Sequence, residues 1–433
     1  MSTSSESWSR QTDSRRAAVA GTVAIAVFVA AWSGIHFGFY RDSRIADTPI
    51  YQRYGDAIAN GHVPYRDFQL EYPPGALPVF ALPSLLRSQD GDLDGYRAGF
   101  EAEMLVCGAL TLAFMLAILL SLGAGRVRTG AALGFAALSP FLLGSVMLSR
   151  FDLWLAALVT GSLAAFVAGR NRVGAGVLGL AVSAKLFPAV LVPIAAVWIW
   201  RRRGRGEALI CLGVFAAVVC LVFLPFVVIA PHGVWHSVTT QTSRPLQIET
   251  LGAGVLLVAH AVGGLSITMR PSHGSQNLAG SAPDALAVVQ TILQAAALLA
   301  TWSWFARGPV TRERLVRASA TAVCAFVAFG KVLSPQFMIW LVPFVPLVAG
   351  RRGLAASAVL AVALYLTQRW FPNRYWDYVL RFDGALTWTV LGRDVALIAL
   401  AGVLAVPRRR ARAPARTSEP VRPHRIRPAL PRS

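Results

Sequence analysis

Apolar runs long enough to cross a bilayer recur from Ala17 to Val406, and short arginine clusters separate many of them. Hydrocarbon offers no partner to backbone N–H and C=O groups, so such runs fold as helices that satisfy their own hydrogen bonds. The pattern predicts an all-α polytopic membrane protein. Composition agrees, because 55% of residues are hydrophobic and only 14% charged, which excludes an ordinary soluble globule. The net charge of +20 by itself would also suit nucleic acid. The arginines, however, sit between apolar runs and in the tail, where they read as topology signals, so no nucleic acid is expected. Cys107, Cys211, Cys220 and Cys324 all lie inside apolar runs without metal-ligand spacing and count as small apolar fillers.

Charge placement orders the crossings. Arg15 and Arg16 keep residues 1–16, a Ser-rich and disordered lead, in the cytoplasm, and Ala17 to about Phe39 forms a retained first span. The first loop, 40–97, is then outside. Within it, residues 75–86 are apolar but too short to span, and lie along the outer surface as a juxtamembrane helix. Later runs alternate between outer polar segments and the cytoplasmic arginines at 126–128, 170–172, 201–203, 307–317 and 351–352. Residues 251–264 do not cross, since a crossing there would place the 307–317 arginines outside. They belong to a second outer region, 230–283, whose first part, 230–250, reads as a polar loop. Residues 335–348 read as a descending helix and 368–383 as an aromatic outer loop. The count is about twelve spans in a membrane domain of residues 17–406, with a disordered basic cytoplasmic tail at 407–433.

Residues 45–76 break this pattern as a polar, aromatic, acid-bearing stretch. The first outer loop supplies Asp42, Asp47, Asp56, Asp67 and Glu71. Asp47 follows the first span closely and precedes Pro49, Ile50 and Tyr51; an acid at the mouth of a membrane cavity is costly unless used. Asp56 reads as the polar face of a short helix. Asp67 and Glu71 belong to a Pro-rich turn, and Asp92-Leu93-Asp94 reads as a solvated turn. Lys185 and Lys331, the only lysines, each fall in a Pro-containing polar break at the outer end of an apolar run. Arg393 and Asp394 point about 100° apart on a helix, so each is expected to have its own partner.

The order Asp47-Thr48-Pro49-Ile50-Tyr51, Tyr65-Arg66-Asp67-Phe68 and Glu71-Tyr72-Pro73-Pro74-Gly75 resembles the GT-C membrane glycosyltransferases. Within them the chain resembles glycosyltransferase family 87, the actinobacterial polyprenyl-phosphate-mannose-dependent mannosyltransferases. Ser149-Arg150-Phe151-Asp152, Ala184-Lys185-Leu186-Phe187-Pro188 and Gly330-Lys331-Val332-Leu333-Ser334-Pro335-Gln336 are similar to that family's recurring signatures. The resemblance implies a GT-C fold, a catalytic aspartate matched by Asp47, and no metal or other cofactor.

It also implies an inverting transfer of a sugar, mannose foremost, from a polyprenyl phosphate to a cell-envelope glycolipid or glycan at the outer face of the plasma membrane. A lipid phosphosugar already carries a good leaving group, so the acceptor hydroxyl needs one general base. Asp47 fills that role, with Asp67 and Glu71 as the competing acids. Lys185, Lys331 and Arg150 are expected at the donor phosphate. Tyr51, Asp67, Glu71, Tyr72, Asp152, Arg244, Gln247, Glu249 and Gln336 are expected to contact substrate. A multi-pass transporter or lipid-linked sugar flippase is the alternative. No clear internal repeat links the two halves, and alternating access has no need of a long acidic first loop.

Overall fold

The computed structural model describes residues 3–39, 47–86 and 91–406, with side chains from residue 15 onward. Asp42 and the segment from 407 lie outside the described residues. The chain is helical almost throughout, as backbone satisfaction in hydrocarbon requires. Helices α1 (Thr3–Gly34), α2 (Thr48–Ala59), α3 (Leu77–Leu86), α4 (Leu93–Ser121) and α5 (Arg126–Leu143) come first. Then follow α6 (Ser145–Ser149), α7 (Asp152–Val167), α8 (Asn171–Ala184), α9 (Val192–Arg203), α10 (Arg205–Ile229), α11 (Pro231–Thr242) and α12 (Leu251–Gly263). After a two-stranded hairpin come α13 (Ser281–Arg307), α14 (Arg312–Phe329), α15 (Gly350–Gln368), α16 (Tyr375–Arg381) and α17 (Gly384–Ala405). Helix α1 thus begins upstream of Ala17.

Among the described residues, five helical segments are long and apolar enough to cross a membrane: Arg15–Gly38, α4, α10, α13 and α17. The count of about twelve is not reached, because α5, α14 and α15, at 18, 18 and 19 residues, are less apolar and the remaining pieces are shorter or broken. The 12 residues of α9, for example, rise only about 18 Å against a core of about 30 Å. Neighbouring helices pack α4 on α7, α7 on α8, α8 on α10, α13 on α14, and α14 and α15 on α17.

Several elements depart from the sequence reading. The all-α expectation has one exception, an antiparallel hairpin of β1 (Thr268–Ser272) and β2 (Ser275–Ala279). His273 and Gly274 join its strands with φ of 52° and 64°, as the tight turn of a two-residue hairpin demands. The 230–250 loop begins with helix α11, started by Pro231 at a position where the missing N–H costs nothing. The 368–383 loop contains α16. Residues 335–348 form no α-helix but two 3-10 turns, Pro335–Trp340 and Val345–Leu347, because Pro343 and Pro346 remove ladder donors. This irregular backbone is buried in protein, the setting in which a membrane protein tolerates it. Helix α4 begins at Leu93, where Asp92 accepts from the Asp94 N–H at 3.1 Å, so the pair is solvated as expected and Asp92 in addition caps the helix.

Candidate active site

Helix α8 ends at Ala184 and leaves Lys185 in an extended conformation ahead of Pro188. The ammonium donates to Asp152 Oδ1 at 2.7 Å, and the Trp340 indole donates to the same oxygen at 2.7 Å. Phe151, Trp340 and Phe337 present rings 4.8, 5.1 and 5.7 Å from the Lys185 Nζ, close enough for cation–π attraction. Phe187 stacks on Trp340 with centroids 3.8 Å apart. Asp152 is fully buried in the first turn of α7, where the helix dipole favours a carboxylate. Its second oxygen has no hydrogen-bond partner.

Lys185 opens onto a cavity of about 1070 Å³, measured out to its mouth. Lys331, Arg244, Tyr72 and Gln241 line the same space. The two lysines, remote in sequence, therefore converge. Gln247 fixes the segment bearing Lys331: its N–H donates to the Lys331 carbonyl at 3.0 Å and its side chain to Ser334 Oγ at 2.9 Å. The same residue pairs with Asn277 on β2, joining the hairpin to this wall. Arg244 is half-buried with Nε unpartnered, and burial lowers its pKa against the opposing pull of Tyr72, Glu71 and Glu249. Glu71 packs its carboxylate against Gly274, where a Cβ would come within 3.0 Å, and its carbonyl accepts from Gln241 at 3.0 Å.

Asp47 stands at the start of α2 and pairs with Arg150. Burial lowers the Arg150 pKa to about 10, against the pull of Asp152 and Glu249. Tyr51, one turn on, reaches Asp47 Oδ2 at 3.4 Å and stacks on Phe80 with centroids 4.6 Å apart. Its ring edges also meet Tyr72 and Phe151, so it belongs to the packed wall that carries Asp47. Arg150 and Asp152 do not pair with each other; each takes a partner from a different element.

Glu249 is buried, with Oε2 unpartnered. Burial pushes its pKa up to about 8, while Arg393 and Arg150 pull it down. Its carbonyl accepts from Arg393 at 2.6 Å. Arg393 Nε also lies 2.8 Å from Asp394 Oδ1, in ion-pair contact though off the line of a hydrogen bond. The expectation of separate partners for these neighbours is corrected: within a buried helix turn, neutralising each other outweighs the 100° offset.

Asp67 stays apart in an exposed turn, bonded to Arg66 at 2.8 Å and to the Val63 N–H at 2.7 Å. Gln336 is half-buried on the Pro335–Trp340 turn. Asp56 accepts from Ser84 at 2.7 Å, tying α2 to α3. Sequence reasoning missed Trp340, Phe337 and Phe187 as the surroundings of Lys185; their only signal was the clustering of aromatics beside the two lysine motifs. Among the described residues, no group of three His, Cys, Asp or Glu is placed to hold a metal ion.

The profile of glycosyltransferase family 87 matches residues 70–335. The chain belongs to glycosyltransferase family 87. The protein is therefore a membrane glycosyltransferase. The match takes in the Glu71–Gly75 turn, Arg150, Asp152, Lys185, Arg244, Glu249 and Lys331, whereas Asp47 lies upstream of it. No curated protein matches the glycosyltransferase.

Proposed function

We propose that this glycosyltransferase moves mannose from a polyprenyl phosphate to a hydroxyl of a cell-envelope glycolipid or glycan, at the outer face of the plasma membrane. The observation that carries the reading is the convergence of Lys185, Lys331 and Arg244 on one cavity, beside the aromatic wall that bears Asp47. Three cations beside an opening of this size suit an anionic headgroup with its sugar. Asp47 accepts the proton of the acceptor hydroxyl, whose oxygen attacks the anomeric carbon. The bond from that carbon to the phosphate oxygen breaks, and the electron pair leaves with the lipid phosphate. Attack opposite the leaving group inverts the anomeric centre.

Arg150 serves both ends of this step. While it pairs with Asp47 it lowers that carboxylate's basicity. When a donor phosphate competes for the guanidinium, Asp47 regains the basicity that a general base needs. Lys185, held by Asp152 and its aromatic surroundings, and Lys331, held by Gln247, then stabilise charge growing on the phosphate.

We read the architecture as GT-C type, with about twelve crossings made by the five long helices and by shorter or broken segments. Topology follows from charge. Arg172 bonds Glu207, Arg128 bonds Glu313, and Arg201 and Arg317 bond the carbonyls that end α13 and α17. These arginines gather at one end of the bundle, which the positive-inside rule assigns to the cytoplasm together with both termini. The test is transfer from radiolabelled polyprenyl-phosphate mannose by purified protein in defined lipid. Transfer by the wild type and its loss in Asp47→Asn are expected; no transfer from any lipid-linked sugar would overturn the reading.

A further inference from the structure

Two glutamines one turn apart, Gln290 and Gln294, interrupt the apolar helix α13 on the side that meets the end of α14. An amide in a helix of membrane-spanning length must find its partners inside the protein, since hydrocarbon supplies none. Gln290 is 2% exposed and uses both ends of its side chain. Its Nε2 donates to the Gly330 carbonyl at 2.9 Å, and its Oε1 accepts from the Gly252 N–H at 2.9 Å. These partners leave one orientation of the amide, because a carbonyl only accepts and an N–H only donates. Gln294 donates at 2.7 Å to the carbonyl of Phe326, in the last turn of α14, where carbonyls lack partners within the helix.

These bonds converge on Lys331. Gly330 is extended, with φ of −69° and ψ of 141°, so α14 stops there and Lys331 stands beyond the helical ladder. A held carbonyl fixes the plane of its own peptide unit. The Gly330 carbonyl, gripped by Gln290, fixes the plane that leads into Lys331, and the Lys331 carbonyl, gripped by the Gln247 N–H at 3.0 Å, fixes the plane that leads out. Two fixed planes on one Cα set the direction of the side chain it carries. Gln290 also couples the two grips, since the N–H it accepts lies at the start of α12, just after the segment that holds Gln247. Thr291, Gln294 and Gly330 line the donor cavity, and Gln290 is buried behind them.

We infer that Gln290 is a positioning residue of the glycosyltransferase: it does not meet the donor, and acts by aiming the Lys331 ammonium into the cavity. The inference rests on the reading of Lys331 as a ligand of the donor phosphate. Stabilisation of developing charge depends on groups already in place, so a lysine on a loose backbone contributes less than one whose flanking peptides are held. Without Gln290 the buried Gly330 carbonyl loses its donor, and the peptide ahead of Lys331 is free to rotate.

The test is a double-mutant cycle on donor kcat/KM, at saturating acceptor, for the full-length protein in defined lipid. It compares wild type, Gln290→Met, Lys331→Met and the double variant, each checked for folding by thermal unfolding. Gln290→Met is expected to lower donor kcat/KM about three- to tenfold, the range of one lost neutral hydrogen bond, and Lys331→Met about tenfold or more, as for a charged one. The double variant should match Lys331→Met alone, because Gln290 then has no ammonium to position. A purely structural loss would instead multiply the two defects. If Gln290→Met does not fold, Gly252→Ala takes its place in the cycle, since its Cβ would come within 2.5 Å of Gln290 Oε1 and displace the same amide. Unchanged kcat/KM in Gln290→Met beside an impaired Lys331→Met, or defects that multiply in the double variant, would overturn the inference alone. Wild-type kcat/KM in Lys331→Met would overturn the reading of Lys331 and the inference with it.

Discussion

Arg150, in the turn before α7, forms an ion pair with Asp47 at the start of α2. The contact joins the first outer loop to the helix bundle and sets the proposed base against a cation that is largely buried. It also places Arg150 between two acids of different character, since Asp47 is partly exposed while Glu249 is enclosed.

Removing the guanidinium should make Asp47 a stronger base that is also more often protonated. A carboxylate that loses a nearby cation has its pKa raised. In Arg150→Gln the acid limb of the kcat/KM profile is therefore expected to move to higher pH, with donor KM raised as well. Asp47→Asn should instead lower kcat by about 10²- to 10⁴-fold, the range of a lost general base, while donor binding persists. An unmoved acid limb in Arg150→Gln would detach this arginine from Asp47 in the working enzyme.

Asp152 and Lys185 should behave as a buried pair in stability and as a single phosphate ligand in function. Asp152→Asn leaves the ammonium without its counter-charge, which costs up to about 3–5 kcal/mol where burial is complete. The cost here is expected below that ceiling, because Lys185 opens onto the cavity. Asp152→Asn combined with Lys185→Met should regain stability by chemical denaturation and still fail to bind donor. Recovery of donor binding in the double variant would reduce the pair to a structural role.

The two lysines were legible because a lysine in a Pro-containing break of an apolar run has few other reasons to be there. Their convergence with Arg244 follows from helix packing, which no local pattern carries. Trp340 was not legible: an indole beside a phenylalanine in an apolar run reads as core, and only its bond to Asp152 separates it from that background. The hairpin escaped because His273-Gly274 replaces the usual Asn-Gly or Asp-Gly turn. The broken 335–348 segment was readable from Pro343 and Pro346, but its hydropathy outweighed them. Length and composition pick out five spans among the described residues, fewer than the count of about twelve, since a helix walled by other helices need not cross the bilayer alone.

Stability should fall with rising pH through the titration of Glu249. Burial raises its folded pKa to about 8, above its unfolded value, so the folded state holds a proton that the unfolded state has released between those two values. Across that interval each rise in pH favours unfolding, and above about 8 this contribution levels off. Glu249→Gln keeps the shape and removes the titration, so its melting temperature should vary less from pH 5 to pH 8 than that of wild type. Parallel curves for the two proteins would mean that Glu249 is ionised in the folded state.

Gly75 should tolerate no side chain, and its replacement should be felt at Lys185. The Pro73-Pro74-Gly75 turn presses its backbone onto the end of α8, where an added Cβ would come within 2.6 Å of the Ser183 carbonyl carbon and 2.7 Å of the Ala184 nitrogen. Backbone cannot swing aside as a flexible side chain can, so Gly75→Ala must separate the turn from α8. Overpacking of this kind costs about 1–3 kcal/mol. The displacement falls next to Lys185, whose bond to Asp152 depends on where α8 stops. Gly75→Ala is therefore expected to raise donor KM more than it lowers kcat, alongside the loss of stability. Gly61 provides the control: it lies in the same outer loop with nothing within 4 Å of an added Cβ, though its φ of 82° makes alanine strained. Gly61→Ala should lose stability while leaving donor KM unchanged. If both variants shift KM alike, the effect belongs to general loosening of the loop and not to the contact between Gly75 and α8.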